Sequence, residues 1–170
     1  KAQELVKKEG YSLVIYDAYR PQRASADFKE WSKDPNDARM QSWFYPRIVK
    51  KMLFELDYIA HPSSHNRGST VDITLIALSE KLHPIKPERR ILEDDFEIWY
   101  LNDGTVDMGS SFDLFDKASH YENDLIAKPY KQQREYLRHV MTQAGFNDYP
   151  EEWWHFTLKN EPFPETNFNF

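Results

Sequence analysis

The chain has 170 residues, contains no cysteine and carries a formal net charge of −6. The lack of cysteine excludes disulfides and thiolate metal sites, and the excess of acidic residues argues against a nucleic-acid surface. At this length the chain can bury one sizeable core, so we expect one domain. No apolar run approaches the roughly 20 residues that span a bilayer, so we expect no membrane span.

The first elements along the chain are predicted to be a helix and a strand. The stretch KAQELVKKEG is typical of a helix end that stops at Gly10, which suggests that a natural N-terminal segment precedes it. YSLVIYD predicts a strand, because it is short and rich in aromatic and β-branched residues. The strand ends at a turn-like Tyr-Arg-Pro, so Arg20 is expected at a strand exit.

Helical patterns dominate the next part of the chain. One helix is predicted from Gln22 to about Trp31, and a second stretch from about Asp37 to Leu56 should be kinked or split by Pro46. The turn-rich segment HPSSHNRG then leads into VDITLI, a partly buried strand. His65 is therefore expected on a loop.

The middle of the chain is predicted to contain an insertion and a hairpin. Residues 77 to about 95 are polar with two prolines and are typical of an insertion, whose role within residues 77–107 the sequence leaves open. The stretch FEIWYL-NDG-TVDM predicts a hairpin through an Asn-Asp-Gly turn.

The last third of the chain carries the clearest helix. Apolar residues lie on one face from Lys131 to Ala144, and Gly145 is placed to end the helix. EEWWHFTL then has strong β-propensity. These elements predict a mixed α+β architecture.

The first chemical motif is the pair His65 and Asp72. Asp72 stands inside an otherwise apolar strand, and a buried carboxylate is costly unless it is hydrogen-bonded or binds a metal. Gly68 would let the chain turn so that the two side chains converge. The alternative is that Asp72 pairs with an arginine or caps a turn.

The second motif is EEWWHF, where His155 follows Glu152 by three residues among aromatic side chains. In a regular strand these two residues would point to opposite faces, so the backbone must turn between them or Glu152 must precede the strand. The alternative is a core histidine beneath an aromatic cluster.

Taken together, the two motifs predict a catalytic zinc site. His65, Asp72 and His155 would supply three protein ligands and leave a fourth position for water. The metal would lower the pKa of that water towards about 7, and Glu152 would accept its proton. This is the chemistry of a peptidase.

Four motifs in order, YDAYRPQRA, SxHxxGxxxD, MGSSFD and EWWHF, resemble those of the D-alanyl-D-alanine dipeptidases of the VanX type, zinc peptidase family M15. The resemblance covers nearly the whole chain. It implies a single zinc peptidase domain over residues 1–170, with a small central antiparallel sheet flanked by helices and the zinc site at the sheet, a D,D-peptidase/hedgehog-like fold.

The resemblance also implies roles for individual residues. One Zn²⁺ ion would be bound by His65, Asp72 and His155, with Glu152 as general base and Arg20 stabilising the oxyanion. Asp113, with help from Ser63, would recognise the free amino terminus of a small dipeptide. Without the resemblance, Arg20 would be assigned to a structural ion pair and Asp113 to a helix cap.

The sequence departs from the family in three places. Thr70 replaces a usual alanine, the stretch between Asp72 and Asp113 is longer, and the N-terminal region of relatives is absent. Loops and terminal segments can decide which peptide fits, so a D,D-carboxypeptidase or peptidoglycan endopeptidase remains an alternative. A non-catalytic zinc-stabilised binding domain is a second alternative.

The sequence does not determine where the protein acts or how it assembles. A cytoplasmic and a periplasmic location both stay open, as does the oligomeric state.

Overall fold

A computed structural model describes residues 1–170 and has a mixed α+β fold. The strands are β1 (Tyr11–Asp17), β2 (Thr70–Ala77), β3 (Lys86–Ile91), β4 (Glu97–Asn102), β5 (Phe146–Tyr149) and β6 (Glu152–Leu158). Four of them form an antiparallel sheet in the order β1-β2-β6-β5, while β3 and β4 form a separate two-stranded sheet. The central strands of the larger sheet are therefore β2 and β6.

Seven helical segments connect these strands. The α-helices are α1 (Ala2–Lys8), α2 (Gln22–Ser32), α3 (Gln41–Phe44) and α4 (Lys128–Ala144), and 3-10 helices cover Lys50–Leu53, Ser64–Arg67 and Lys117–Ser119. We call Ser64–Arg67 the histidine turn, because it carries His65. None of the helices has the length and apolar content that crossing a membrane requires.

The main hydrophobic core lies where α1 and α4 pack on the larger sheet. Leu137 and Met141 on α4 meet Trp153 and Trp154 on β6, and all four side chains are buried. The predicted helix thus exists, begins three residues earlier than expected, and ends at Gly145 in the left-handed conformation (φ 105°). This core supports the two central strands from one side.

The segment between α2 and the histidine turn differs from the prediction. The helical stretch expected from Asp37 to Leu56 is split around Pro46, one of the two outcomes predicted, but its two pieces, α3 and the 3-10 helix Lys50–Leu53, are much shorter than expected. Tyr45, Leu53 and Tyr58 are buried together in a small core of their own, and the ammonium group of Lys50 lies 4.3 Å from the centre of the Trp31 ring. This aromatic packing determines the path of the chain in place of a regular amphipathic helix.

The predicted hairpin through Asn102, Asp103 and Gly104 is wrong. Strand β4 pairs with β3, and the residues after Gly104 return to the larger sheet, where the Val106 N–H donates to the Leu75 carbonyl. The side chains of Asn102 and Asp103 accept hydrogen bonds from the backbone two residues ahead, which bends the chain away from β4. β3 was missed because its sequence, KPERRI, is charged and contains a proline.

Candidate active site

The histidine turn is held at both ends by local interactions. Ser63 precedes it, and its hydroxyl accepts a hydrogen bond from the His65 N–H, while the side chain of Asn66 accepts one from the Ser63 N–H in return. Gly68 follows with φ 69°, a left-handed conformation, and a β-carbon there would meet no neighbour. Glycine is favoured by the backbone angle, as predicted, and it lets the chain turn directly into β2.

The ring of His65 is held in one orientation. Its Nδ1 atom lies 2.6 Å from the Ala18 carbonyl, to which it donates, and its Nε2 atom therefore carries the free lone pair. That Nε2 atom lies 3.2 Å from Oδ2 of Asp72, and both side chains are buried. The backbone carbonyl of Ala18 thus prepares His65 to act as a metal ligand through Nε2.

His155 presents its other nitrogen to the same carboxylate. Its Nδ1 atom lies 3.1 Å from Oδ1 of Asp72, and its Nε2 atom lies 3.2 Å from the Ser64 hydroxyl. Three potential ligand atoms, one each from His65, Asp72 and His155, lie within 4.8 Å of one another. The three predicted ligands are therefore brought together at the junction of β2, β6 and the histidine turn.

The chemistry of this donor set fits a metal ion. Asp72 is 2% exposed, and its Oδ1 atom is buried without a hydrogen bond of good geometry. Burial acts to raise the pKa of Asp72, but the adjacent imidazoles of His155 and His65 outweigh burial and hold the pKa below its usual range. A buried ionised carboxylate between two imidazole nitrogens is a typical mononuclear zinc environment.

Glu152 reaches the same site because β6 is irregular at its start. Asp148 pairs with Phe156 and the next residue, Tyr149, pairs with Glu152, so the residues between Glu152 and Phe156 have no partners on β5. Such a bulge changes the direction of side chains that in a regular strand would point alternately to the two faces of the sheet. Glu152 is the first residue of the strand, and its Oε2 atom lies 3.5 Å from Nδ1 of His155.

Two further carboxylates give this region an excess of negative charge. Burial, followed by repulsion from Asp72 and Asp113, raises the pKa of Glu152 well above its ordinary value. Burial and the charge of Asp72 likewise raise the pKa of Asp113 to about 7. A divalent cation or a substrate ammonium group would neutralise this charge.

Asp113 does not cap a helix. It lies in a turn with φ 60°, and Asp116 is the residue that caps the following 3-10 helix. Its carboxylate lines the same cleft as the three candidate ligands. The helix-cap interpretation of Asp113 is therefore wrong, and the side chain is available to a ligand.

Arg20 lies in the irregular segment between β1 and α2, at the strand exit that the sequence predicted. Its Nη2 and Nε atoms donate to Oδ2 of Asp17 at 2.6 and 3.1 Å, so it does form the structural ion pair considered above. These contacts leave Nη1 for a ligand. The positive charge of Arg20 also counteracts the raised pKa values of Glu152 and Asp113, which places the charge within electrostatic reach of both.

All the predicted site residues line one open cleft of about 780 Å³. They are Arg20, Ser63, His65, Asp72, Asp113, Glu152 and His155. Sequence patterns did not indicate that Ser64 contacts His155, since the two residues are 91 positions apart. Nor did they indicate that the ring of Tyr149 lies 5.6 Å from that of His155, or that the side chain of Asn66 bonds to the main chain of Arg20.

The fold and the site define a class of protein. A His-Asp-His donor set on a small antiparallel sheet, next to a buried carboxylate and an arginine, is the arrangement of a metal-dependent hydrolase that activates water. The other histidines, at positions 61, 83, 120 and 139, take no part in this cluster.

Comparison with known proteins identifies the family within this class. The family model described as D-Ala-D-Ala dipeptidase, peptidase family M15, matches residues 1–86 and 96–170. D-Alanyl-D-alanine dipeptidases from Streptomyces coelicolor and Enterococcus faecium are each 36% identical to the chain, covering 100% of it and 73% of their own length. The one from Enterococcus faecalis is 38% identical over 95% of the chain and 69% of its own length.

The chain belongs to the D-Ala-D-Ala dipeptidase family M15 and is a metallopeptidase. The family match confirms the resemblance drawn from the four motifs and disfavours a non-catalytic binding domain. Residues 87–95 fall outside the match and form most of β3 and the turn that leads to β4.

Proposed function

We propose that the protein hydrolyses D-Ala-D-Ala or a similar free dipeptide in a zinc-dependent reaction. One Zn²⁺ ion would be held by Nε2 of His65, the carboxylate of Asp72 and Nδ1 of His155. The observation that carries the proposal is the convergence of these three donors on a cleft that Glu152, Arg20 and Asp113 also line.

When bound, zinc supplies Lewis acidity, which lowers the pKa of water to about 7 and polarises the scissile carbonyl. The protein's own groups determine how a peptide is placed against that chemistry. Ala18 and Ser64 orient the two imidazoles, because each bonds to the ring nitrogen that faces away from Asp72.

Glu152 is proposed as the general base and acid. Its carboxylate is buried, makes no hydrogen bond within the protein, and lies next to His155. The raised pKa improves the match between the carboxyl group and a proton transfer near neutral pH. Glu152 would take a proton from the attacking water and deliver it to the leaving amine.

Arg20 and Asp113 are proposed to act on opposite charges of the substrate. Nη1 of Arg20 would donate to the oxygen that becomes negative during attack, and Asp17 would keep the guanidinium in place. Asp113 would form an ion pair with the free ammonium group of the dipeptide, assisted by Ser63. Recognition of that ammonium group is what would make the enzyme a dipeptidase.

The experiment is a comparison of D-Ala-D-Ala with its N-acetylated form, with released D-alanine as the readout. The free dipeptide should be cleaved efficiently and the blocked one rejected, because acetylation removes the charge that Asp113 would bind. Asp113→Asn should reduce the difference in cleavage rate between the free and the N-acetylated dipeptide. Equal cleavage of both by the wild-type protein would contradict the proposed role of Asp113.

A D,D-carboxypeptidase or endopeptidase is the second candidate, and the size of the cleft favours it. The cleft volume of about 780 Å³ lies in the range of roughly 300–1,000 Å³ that suits ligands far larger than two alanines. Preferential cleavage of a peptidoglycan stem peptide over D-Ala-D-Ala would select this candidate.

A further inference from the structure

Asn66 follows His65 in the histidine turn, and its buried side chain hydrogen-bonds to Arg20, Ser25 and Ser63. The side chain is 0% exposed. Its Nδ2 atom donates to the Arg20 carbonyl at 2.7 Å and to the Ser25 hydroxyl at 2.9 Å, and its Oδ1 atom accepts from the Ser63 N–H at 2.8 Å. Both amide hydrogens and the amide oxygen are therefore used.

The orientation of this amide is fixed by its partners. The Ser63 N–H can only donate and the Arg20 carbonyl can only accept, so the opposite orientation of the amide would lose both bonds. An aspartate of the same shape would keep the bond from Ser63 and lose the bond to the Arg20 carbonyl, which can only accept, whereas the Ser25 hydroxyl could turn to donate to the carboxylate. Asparagine is thus the residue type that satisfies all three partners.

Arg20 depends on this contact because it lies outside regular structure. Residues 18–21 belong neither to β1 nor to α2. Besides the side-chain bond from Asn66, the Arg20 main chain is held by a 3.3 Å hydrogen bond from its N–H to the His65 carbonyl. The histidine turn therefore holds the Arg20 main chain on both its N–H and its C=O.

We propose that Asn66 is a positioning residue that sets the guanidinium of Arg20 relative to His65 and its neighbours. This inference rests on the proposed function, in which Arg20 stabilises developing negative charge. Asp17 restrains the far end of the Arg20 side chain, and Asn66 restrains the near end through the main chain. A shift of about 1 Å in a group that acts on the transition state can cost about 100-fold in rate.

The inference predicts a specific kinetic effect. Asn66→Asp keeps the bond from the Ser63 N–H that holds the histidine turn and loses the bond to the Arg20 carbonyl. Asn66 contacts none of the three donor side chains, so this variant should keep a zinc content close to that of the wild type. Asn66→Asp should lower kcat by about 10–100-fold with a much smaller change in KM. Asn66→Ala should act in the same direction.

A double-mutant cycle with Arg20→Ala separates positioning from general structural support. Arg20→Ala removes the guanidinium and keeps the main-chain carbonyl that Asn66 binds. If Asn66 acts through Arg20, its substitution in the Arg20→Ala background should change kcat by less than about twofold. Zinc content and the midpoint of thermal unfolding are measured for every variant. If Asn66→Asp and Asn66→Ala do not fold, Asn66→Ser replaces them in the cycle.

Ser25→Ala is the matched control. Ser25 is also 0% exposed and accepts from the same Nδ2 atom, but it lies on α2 and does not line the cleft. Its loss should lower the unfolding midpoint and leave kcat unchanged.

Two results would overturn the inference. The first is an unchanged kcat in the folded Asn66 variants, and the second is an equal loss of kcat in both backgrounds. Full activity of Arg20→Ala, in contrast, would count against the proposed function of Arg20 and remove the premise, so the two failures are distinguishable.

Discussion

His155 and Asp72 are paired across the central strands β2 and β6, and Nδ1 of His155 lies 3.1 Å from Oδ1 of Asp72. Hydrogen bonding of the sheet therefore places two of the three proposed ligands before any metal binds. The third, His65, is placed by the turn that enters β2.

The first prediction follows from this preformed donor set. Zinc should raise the free energy of unfolding of the metal-free protein by about 2.7 kcal/mol when free zinc is 100 times its Kd. Asp72→Ala should abolish this gain, whereas Asp124→Ala, at an exposed ion pair, should retain it. Chemical denaturation with and without zinc is the measurement. Equal stabilisation of the Asp72 variant would place the metal elsewhere.

The second prediction concerns Ser64, whose hydroxyl lies 3.2 Å from Nε2 of His155. Loss of such an outer contact typically weakens metal binding by about 10–100-fold, because the ligand ring is no longer oriented. Ser64→Ala should therefore weaken zinc binding in a competition assay with a chelating indicator. Ser12→Ala on β1 is the control and should bind as the wild type does. An unchanged affinity in Ser64→Ala would show that the contact does not orient the ring.

The third prediction separates stability from activity at Glu152. The pKa of this buried carboxyl group is raised in the folded protein, so its ionisation opposes folding at neutral pH. Glu152→Gln should increase the free energy of unfolding of the metal-free protein at pH 7. With zinc present, the same variant should lose at least about 100-fold in turnover.

Glu151→Gln is the control for this change. Residue 151 is adjacent but more exposed, and its side chain accepts a hydrogen bond from Tyr149. Its charge raises the pKa of Glu152 less than burial or the charges of Asp72 and Asp113 do. Its substitution should leave both turnover and stability close to those of the wild type. A Glu152→Gln protein that is less stable than wild type at pH 7 would contradict the inferred electrostatics.

The fourth prediction is a pH dependence that Asp113 confers on the metal-free protein. The pKa of this group rises from 3.8 to about 7 on folding, so its contribution to stability is fully present below pH 3.8 and is lost as the pH rises towards 7. The free energy of unfolding of the wild type should fall over this range relative to that of Asp113→Asn. Urea denaturation in a chelator at several pH values provides the comparison. Parallel curves would show that Asp113 is not perturbed.

The sequence predicted the donor set because each part had a local signal. Asp72 was conspicuous as a carboxylate in an apolar strand, and Gly68 indicated the turn that brings His65 back to it. The helix that ends at Gly145 and the strand that carries His155 also had local signals in the sequence. The sequence could not resolve how Glu152 and His155 share a site, because the bulge depends on the pairing of β5 with β6.

The errors in the prediction arose where tertiary contacts override local propensity. Strand β3 is charged along its length and is defined only by its partner β4. The Asn-Asp-Gly turn has the composition of a hairpin, but Val106 bonds to β2. The roles of Ser64 and Asn66 depend on long-range hydrogen bonds to His155 and Arg20, which no local spacing reveals.

Zinc-dependent hydrolysis is tested most directly by measuring the release of D-alanine from D-Ala-D-Ala by the purified protein as zinc is removed and restored. Activity should disappear in a chelator, return when about one equivalent of Zn²⁺ is added, and fail to return in a zinc-loaded Glu152→Gln variant. Undiminished activity in the metal-free protein, or full activity of the zinc-loaded variant, would contradict the proposed mechanism.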